Sequence, residues 1–543
     1  MKDFDGLGGD NDSPIPGGLH LGQFLDTTFT TSGSGRAVMT ALYCCCGRSS
    51  PGTLEGSPHS VTELDTIARR SPMKAATAGL HAVVLGASMA GLLAARVLAD
   101  AYTRVTVVER DILPPGPADR RGVPQARHAH ALHARGRELL DELFPGFTEQ
   151  LVQAGAVTAD TLGGIRIHIS GQLLRQADIG LLALCASRAF VEGHLRQRVR
   201  ALRAVRFAEG CDVLGLVTDD EQRRVTGVRI AHRQGGGPEQ TVPAGLVVDA
   251  TGRGSRTPVW LEQLGYSRPA VDRVEIGLGY ASRRYRLRPG ALGNDAAILT
   301  GPTPVNSRAA GISPLESGQH LVTLAGILGD HPPLDPAGFA AFAASICFPD
   351  VAEALVGAVP VDDPVGFRFP ASVRHRYERL RRFPAGLLVI GDAVCSFNPI
   401  YGQGMTVAAM QATTLRDLLR GGPPPAPRRY FRRIAKMIDT PWDIAVGADL
   451  AFPGVPGRRT VKVRIVNAYV PRLHAAASSD SSLGRAFARV VGMVDRPEVL
   501  VRPDRALRVL WAHLRGVPSP TNGPASGAGV SGSAAQSPAG STG

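Results

Sequence analysis

The sequence predicts an α/β fold in three parts: a parallel sheet opened by a βαβ unit, an antiparallel sheet lobe inserted into it, and a helical C-terminal region. Three observations carry this. His81–Arg110 reads as an apolar run, a small-residue turn, a helix and a second β-branched run. Residues 259–370 switch to period-two alternation, and residues 426–516 to helical patterns with basic faces.

Taken in order, residues 1–78 mix Gly, Pro, Ser and Thr without a sustained period and read as a disordered N-terminal extension. Met73 lies just ahead of the first strand, so the folded part is expected to start near it, with the preceding segment dispensable. The apolar run Ala82–Leu85 then ends in Gly86 and breaks into Ala87-Ser88-Met89-Ala90-Gly91. A helical pattern runs through Leu98, and Val105–Val108 ends at Glu109. This is the size and order of a Rossmann-like dinucleotide-binding unit. Gly86 allows the tight turn, small side chains at Ala87, Ser88 and Ala90 let a pyrophosphate approach the backbone, and Gly91 lets helix pack on strand. The first helical turn offers unpaired N–H groups and a positive dipole end. Glu109, at the tip of the second strand, can accept hydrogen bonds from an adenosine ribose.

The middle glycine of G-x-G-x-x-G is Ser88, and G-x-S is also the start of the hydrolase nucleophile elbow. That motif needs its second small residue one position before Gly91 and leaves Glu109 without a role. Dinucleotide binding accounts for both residues. This turn alone does not separate NAD from FAD.

Beyond Glu109, a loop spans Arg110–His128 and a helix is expected over Ala129–Leu143. A further helix starts near Arg188; Arg206–Val217 and Arg223–His232 read as strand and hairpin, and Gly245–Asp249 as a buried parallel strand. These place the first domain at 79–258. The lobe at 259–370 shows alternation over Ile276–Leu287, Ala296–Leu299, Ala309–Ser313 and Leu321–Ile327. The chain returns to the first domain over 371–425. Residues 426–516 include helical patterns at Leu483–Val494 and Ala506–Leu514, whose basic faces either dock on the body or meet a membrane surface. Residues 517–543 read as a disordered tail.

A second motif selects the cofactor. In LLVIGDAVCSFNPIYGQGM, from Leu387 to Met405, a buried strand delivers Asp392 to a loop holding Pro399, Tyr401, Gly402 and Gly404. Asp392 can hold ribityl hydroxyls, the glycines let backbone N–H groups reach a flavin ring, and the helix start at Met405 stabilises negative charge on the reduced ring. NAD enzymes do not need this element. The expected cofactor is FAD.

Composition excludes several classes. Across 543 residues, 44% hydrophobic and 20% charged is an ordinary globular balance. No run reaches membrane-span length, and no signal peptide precedes the acidic start, so a cytoplasmic protein is expected. The net charge of +13 is almost all arginine, without the aromatic interleaving of a nucleic-acid surface. No C-x-x-C exists, Cys44–Cys46 are contiguous in the extension, and Cys185, Cys211, Cys347 and Cys395 are isolated, so neither zinc nor a disulfide framework is expected. His128, His130 and His133 lie off a common helix face and lack a carboxylate partner, so no metal is expected there either.

The sequence resembles the FAD-dependent aromatic-hydroxylase and squalene-epoxidase superfamily, and within it the bacterial epoxidases and monooxygenases of polyether and other polyketide pathways. The matching residues are GASMAG from Gly86, VVER ending at Arg110, RGVPQARHAHAL from Arg121, SRAFVEGHL from Ser187, VVDATGRGSR from Val247 and GDAVCSFNPIYGQGM from Gly391. The resemblance implies that Glu109 holds the adenosine ribose and that Arg110 and Arg188 lie along the diphosphate. It places Val213 at the adenine, Arg121 and Gln125 close to the flavin, and Asp392 on the ribityl–diphosphate portion. Thr251-Gly252 stands where aromatic hydroxylases carry Asp-Gly, a pair serving both FAD and NADPH. Electrons therefore arrive either from NAD(P)H directly or through a separate flavin reductase.

By the same resemblance, a flavin C4a-hydroperoxide made from O2 would deliver oxygen to a hydrophobic polyketide or terpenoid-like substrate, by alkene epoxidation first and hydroxylation next. Such chemistry needs positioning and exclusion of water rather than a protein nucleophile. No catalytic residue is assigned; Gln125, His128 and Tyr401 are the candidates near the flavin. A halogenase would need W-x-W-x-I-P and a catalytic lysine, but Trp260, Trp442 and Trp511 are isolated. A reductase or dehydrogenase acting on prenyl or polyene double bonds is the main rival, and a non-catalytic nucleotide module the third class.

Overall fold

A computed structural model describes residues 80–130, 132–233, 238–422 and 425–516. The expectations for 1–78, including Cys44–Cys46, and for 517–543 lie outside the described residues. Those described belong to one compact unit.

The chain opens with β1 (His81–Leu85), α1 (Met89–Leu98) and β2 (Arg104–Val108), followed by α2 (Ala134–Leu143) and α3 (Phe147–Gln153). Short strands β3 (Val157–Asp160), β4 (Ile165–Ile169), β5 (Gln172–Leu173) and β6 (Leu182–Cys185) lead to α4 (Arg188–Arg200). Then come β7 (Val205–Ala208), β8 (Cys211–Thr218), β9 (Val225–His232), β10 (Gln240–Pro243), β11 (Leu246–Asp249) and α5 (Thr257–Gln263). The next stretch holds β12 (Val271–Arg286), β13 (Ala297–Thr300), β14 (Arg308–Pro314), β15 (His320–Gly326), α6 (Pro336–Ala344), α7 (Asp350–Leu355), β16 (Val359–Pro360) and β17 (Val365–His375). Last are β18 (Leu387–Val389), β19 (Cys395–Ser396), α8 (Gly404–Leu419), α9 (Pro427–Asp449), α10 (Val461–Ala477), α11 (Ser481–Val491) and α12 (Pro503–Leu514).

Five strands pair in parallel in the order β18-β11-β1-β2-β7. Every residue of β1, β11 and β18 is buried, as a sheet covered on both faces requires. α1 packs against both α4 and α8, so the helices following the two glycine-bearing turns touch directly. The fold class read from the sequence is the one the chain has.

The second sheet has nine strands, with β12, β14, β15 and β17 antiparallel at its centre. It reaches beyond 259–370: β4 and β5 extend one edge and β19 the other. β12 and β17 pair along most of their length, with a bulge between Glu275 and Leu278 where Gly277 takes φ +58°. Pro370, which has no N–H to donate, falls at that irregularity. One sheet face packs on α6 and α7 through Phe339, Phe342 and Val351. The other, carrying Tyr280 and Phe369, packs with Leu450, Phe452 and Ile400.

The expected helix over Ala129–Leu143 begins only at Ala134. Tertiary bonds hold the preceding residues out of helical geometry: Ala129 N donates to Thr323 Oγ1 at 3.1 Å, and His133 Nε2 bonds Tyr401 O at 2.8 Å. The helices expected in the C-terminal region are present, and α9 packs on α8 and β18.

Candidate functional site

Both glycine-bearing turns leave the C-terminal edge of the parallel sheet, one after β1 and one after β18, with only β11 between. Gly86 sits at φ +96°, and a Cβ there would stand 2.8 Å from Ala250 O. A Cβ at Gly91 would run into Gly86 O, so strand and helix meet as the spacing required. Gly391, at φ +71°, closes the gap: its Cβ would lie 2.6 Å from the Cβ of Ala90. The two turns are in contact.

Ser88 is the N-cap of α1, and its side chain makes no capping bond. The hydroxyl turns outward, donating to Glu192 Oε2 at 2.8 Å and accepting from Arg188 at 2.9 Å. The N–H groups of a first helical turn have no partner within the helix, so this end presents donors and a positive dipole. The short side chain of Ala87 leaves the turn open, and its N–H donates to Glu109 Oε2 at 2.7 Å, while Asp111 N donates to Glu109 Oε1 at 3.1 Å.

Arg188 is 7% exposed. Ser187 caps its helix, accepting from Phe190 N at 3.1 Å, and Glu192, one turn on, meets Arg188 at 3.1 Å. Arg120 joins from the loop after β2, reaching Glu192 at 2.8 Å, Asp111 at 3.2 Å and Glu109 at 3.3 Å. Burial pushes the Glu192 carboxyl up, but the Arg188 and Arg120 guanidiniums outweigh it and hold the group below its ordinary value. Asp392 lies on the second turn. Burial raises its carboxyl, only partly offset by the nearby charges of Arg188 and Arg253. Arg188 is thus hydrogen-bonded to Ser88 on the first turn, and its charge lowers the pKa of Asp392 on the second.

Beyond Asp392, Asn398 accepts from Ile400 N at 3.1 Å and fixes a short helical turn, Pro399–Tyr401, which Gly402 ends at φ +64°. A Cβ at Gly404 would meet nothing nearer than Asp392 Oδ1 at 4.0 Å, so the start of α8, with buried Met405, is open at the backbone. Tyr401 donates to Asp449 Oδ1 at 2.9 Å and Asn398 to the same oxygen at 2.8 Å. Asp449 is fully buried with Oδ2 unpartnered, and burial raises its carboxyl to about 6.

His128 is buried against Ser282, Nδ1 to Oγ 2.8 Å, and stacks near Tyr280 with ring centres 5.8 Å apart. Burial lowers its pKa to about 4, so it is neutral near pH ~7. His130 bonds His128 O and His133 bonds Tyr401 O, so the three imidazoles serve separate partners. Among the described residues no group of three or more His, Cys, Asp or Glu is arranged to hold a metal.

The remaining sequence candidates divide. Gln125 lies half-buried in the turn Pro124–Arg127, which touches α4 and β17. Val213 is half-buried on β8, whose first residue, Cys211, bonds Glu109 O. Thr251 precedes Gly252 at φ +69°, and its hydroxyl is committed to Asp249 at 2.6 Å, so it serves the buried carboxylate beneath it. Arg110 and Arg121 are exposed, outside the buried cluster. In the Arg120-Arg121 pair it is Arg120 that turns inward. Sequence reasoning also missed Glu192, legible as the i+4 partner of Arg188; Arg253, which stacks 4.5 Å over Phe369 beside Asp392; and Asp449, which no local pattern announces.

No protein-family model matches the chain. Its fold is shared with a flavoprotein/dehydrogenase from Cytophaga hutchinsonii (TM-score 0.57, 16% identity, covering 80% of this chain and 98% of that one). It is also shared with the flavin-dependent brominase Bmp2 (0.56, 15%, 80% and 99%). PqsL, a probable FAD-dependent monooxygenase from Pseudomonas aeruginosa, aligns at TM-score 0.50 and 16% identity over 75% and 99% of the two chains. At these identities the likeness is one of fold alone. Over 354 residues, 63% of this chain and 73% of the relative, it is 41% identical to Protein Rv3254 of Mycobacterium tuberculosis (strain ATCC 25618 / H37Rv). The chain belongs to the family of Protein Rv3254.

Proposed function

We propose that this chain is an FAD-dependent monooxygenase that inserts one oxygen atom from O2 into a hydrophobic polyketide or terpenoid-like small molecule, by alkene epoxidation before hydroxylation. The observation that carries the reading is the meeting of two glycine-bearing turns at one sheet edge, with buried Arg188 hydrogen-bonded to Ser88 on the first.

The residues present suit FAD. Glu109 Oε2 is taken by Ala87 N–H and Arg120, while Oε1 accepts only from Asp111 N–H and keeps a lone pair for a ribose hydroxyl. The start of α1 and Arg188 would hold the diphosphate, Asp392 the ribityl chain, and the backbone from Gly402 to Met405 the ring's pyrimidine edge. Bound flavin would supply the electron transfer and oxygen chemistry. The protein orients the substrate and keeps water out, through the sheet face of Tyr280 and Phe369 packed with Ile400. Asp449 fixes the loop over the ring site by holding both Asn398 and Tyr401.

The test is a visible spectrum of the purified protein, followed by oxidation of a polyene polyketide under isotopically labelled O2, with NAD(P)H alone and with a flavin reductase added. A yellow protein and a product heavier by one labelled oxygen are expected, and the two electron sources identify the donor. Gain of hydrogen without labelled oxygen would replace the reading with double-bond reduction. A colourless protein that takes up no FAD would end both.

A further inference from the structure

The outer face of α12 is unlike the rest of the surface. Val509 is its only buried residue. On the opposite edge Leu507, Leu510, Trp511 and Leu514 are spaced i, i+3, i+4 and i+7, forming one apolar stripe that is 52–74% exposed. Of twenty large apolar side chains exposed among the described residues, eight fall between Val461 and Leu514, so apolar exposure is concentrated in this region. Charge is concentrated there too. Residues 427–516 carry 17 Lys and Arg against 7 Asp and Glu, ten of the chain's thirteen net positive charges. Beside the stripe lie Arg508, ion-paired with Asp480 at 3.1 Å, and Arg515, just past the last turn, whose guanidinium lies 3.1 Å over the Trp511 ring.

We propose that this face of α12 docks on an anionic phospholipid surface, the apolar stripe entering the headgroup–acyl boundary and Arg515, with the surrounding positive charge of the region, meeting lipid phosphates. An exposed apolar edge, a tryptophan and arginines beside it are what an interfacial helix needs. Charge argues against a second copy of the chain, because two such faces would bring like charges together. One helix edge is also far smaller than a standard dimer interface. A nucleic acid would match the arginines but leave four large apolar side chains facing a phosphate backbone.

The chain's fluorescence makes the docking measurable. Trp260 and Trp442 are buried at 3% and 6% exposure, while Trp511 is 57% exposed. The full-length protein is floated with vesicles of phosphatidylcholine, or of equal parts phosphatidylcholine and phosphatidylglycerol, with brominated acyl chains as quencher. Binding to the anionic vesicles is expected to be at least ~tenfold stronger than to neutral ones and to weaken with added salt. Quenching should vanish in Trp511→Phe while flotation persists. The Leu510→Asp, Leu514→Asp double variant should lose flotation with its unfolding transition unchanged. Equal binding to both vesicles, no binding, or flotation that survives the double variant would overturn the proposal. So would a concentration-dependent dimer in sedimentation that Leu510→Asp abolishes, since the stripe would then be covered by a second copy.

Discussion

Gly391→Ala tests the contact between the two turns. At φ +71° an L-residue costs about 1–2 kcal/mol in backbone strain. The new methyl would stand 2.6 Å from the Ala90 Cβ, where carbon atoms prefer about 3.5–4.0 Å. Overpacking of this kind adds roughly 1–3 kcal/mol, giving about 2–5 kcal/mol in all. Ala90→Gly removes the other methyl and by itself costs roughly 0.5–1 kcal/mol as a glycine in the first turn of α1. In the double variant the steric part should disappear, leaving a favourable coupling of about 1–3 kcal/mol. Urea unfolding of the four proteins measures it, and flavin retained after desalting should follow the same order. If Gly391→Ala lies within ~0.5 kcal/mol of the parent, or the effects simply add, the turns are not pressed together as described.

Four further outcomes follow from the site. Arg120→Ala strips the buried Glu109 and Glu192 and the half-buried Asp111 of a shared cation and should cost about 3–5 kcal/mol on denaturation, whereas Arg121→Ala should stay within ~0.5 kcal/mol. Glu109→Arg should abolish FAD retention; full retention in gel filtration would remove this side chain from the cofactor site. Asp449, raised from 3.8 to about 6, favours the fold while protonated, so that contribution is complete below pH ~4 and lost as pH climbs through ~6. The stability of Asp449→Asn relative to the parent should therefore rise by up to ~3 kcal/mol across that window, and a flat difference contradicts the assignment. His128, lowered from 6.5 to about 4, acts in the opposite sense: its contribution is present above pH ~6.5 and falls by roughly 3 kcal/mol as pH drops through ~4. His128→Gln should flatten the acid limb of a pH–stability curve.

What the sequence disclosed depended on whether the cause was local. β1, α1 and β2 follow from a buried apolar run, a glycine that must turn and a 3.6-residue period, and they lie where those patterns place them. The start of α2 was misread because Ala129 and His133 are tied to Thr323 and Tyr401, residues remote in sequence. β17 was missed because Pro370 interrupts its pattern, and only the bulge opposite, at Gly277, accommodates that residue. Arg120 could not be separated from Arg121 by residue type, since the choice rests on which guanidinium faces Glu192. Asp449 was illegible for a stronger reason: its partners Asn398 and Tyr401 lie on another element, and nothing in α9 marks one buried carboxylate among several surface ones.

That carboxylate binds the fate of the last helices to a loop they do not adjoin in sequence. A shortened chain ending after α8 would leave the Asn398 amide and the Tyr401 hydroxyl donating into nothing. A chimera that imported a foreign C-terminal region lacking an acid at this position would do the same. Recombining such proteins at the junction before α9 should therefore succeed only when the stretch 398–401 travels with its own α9.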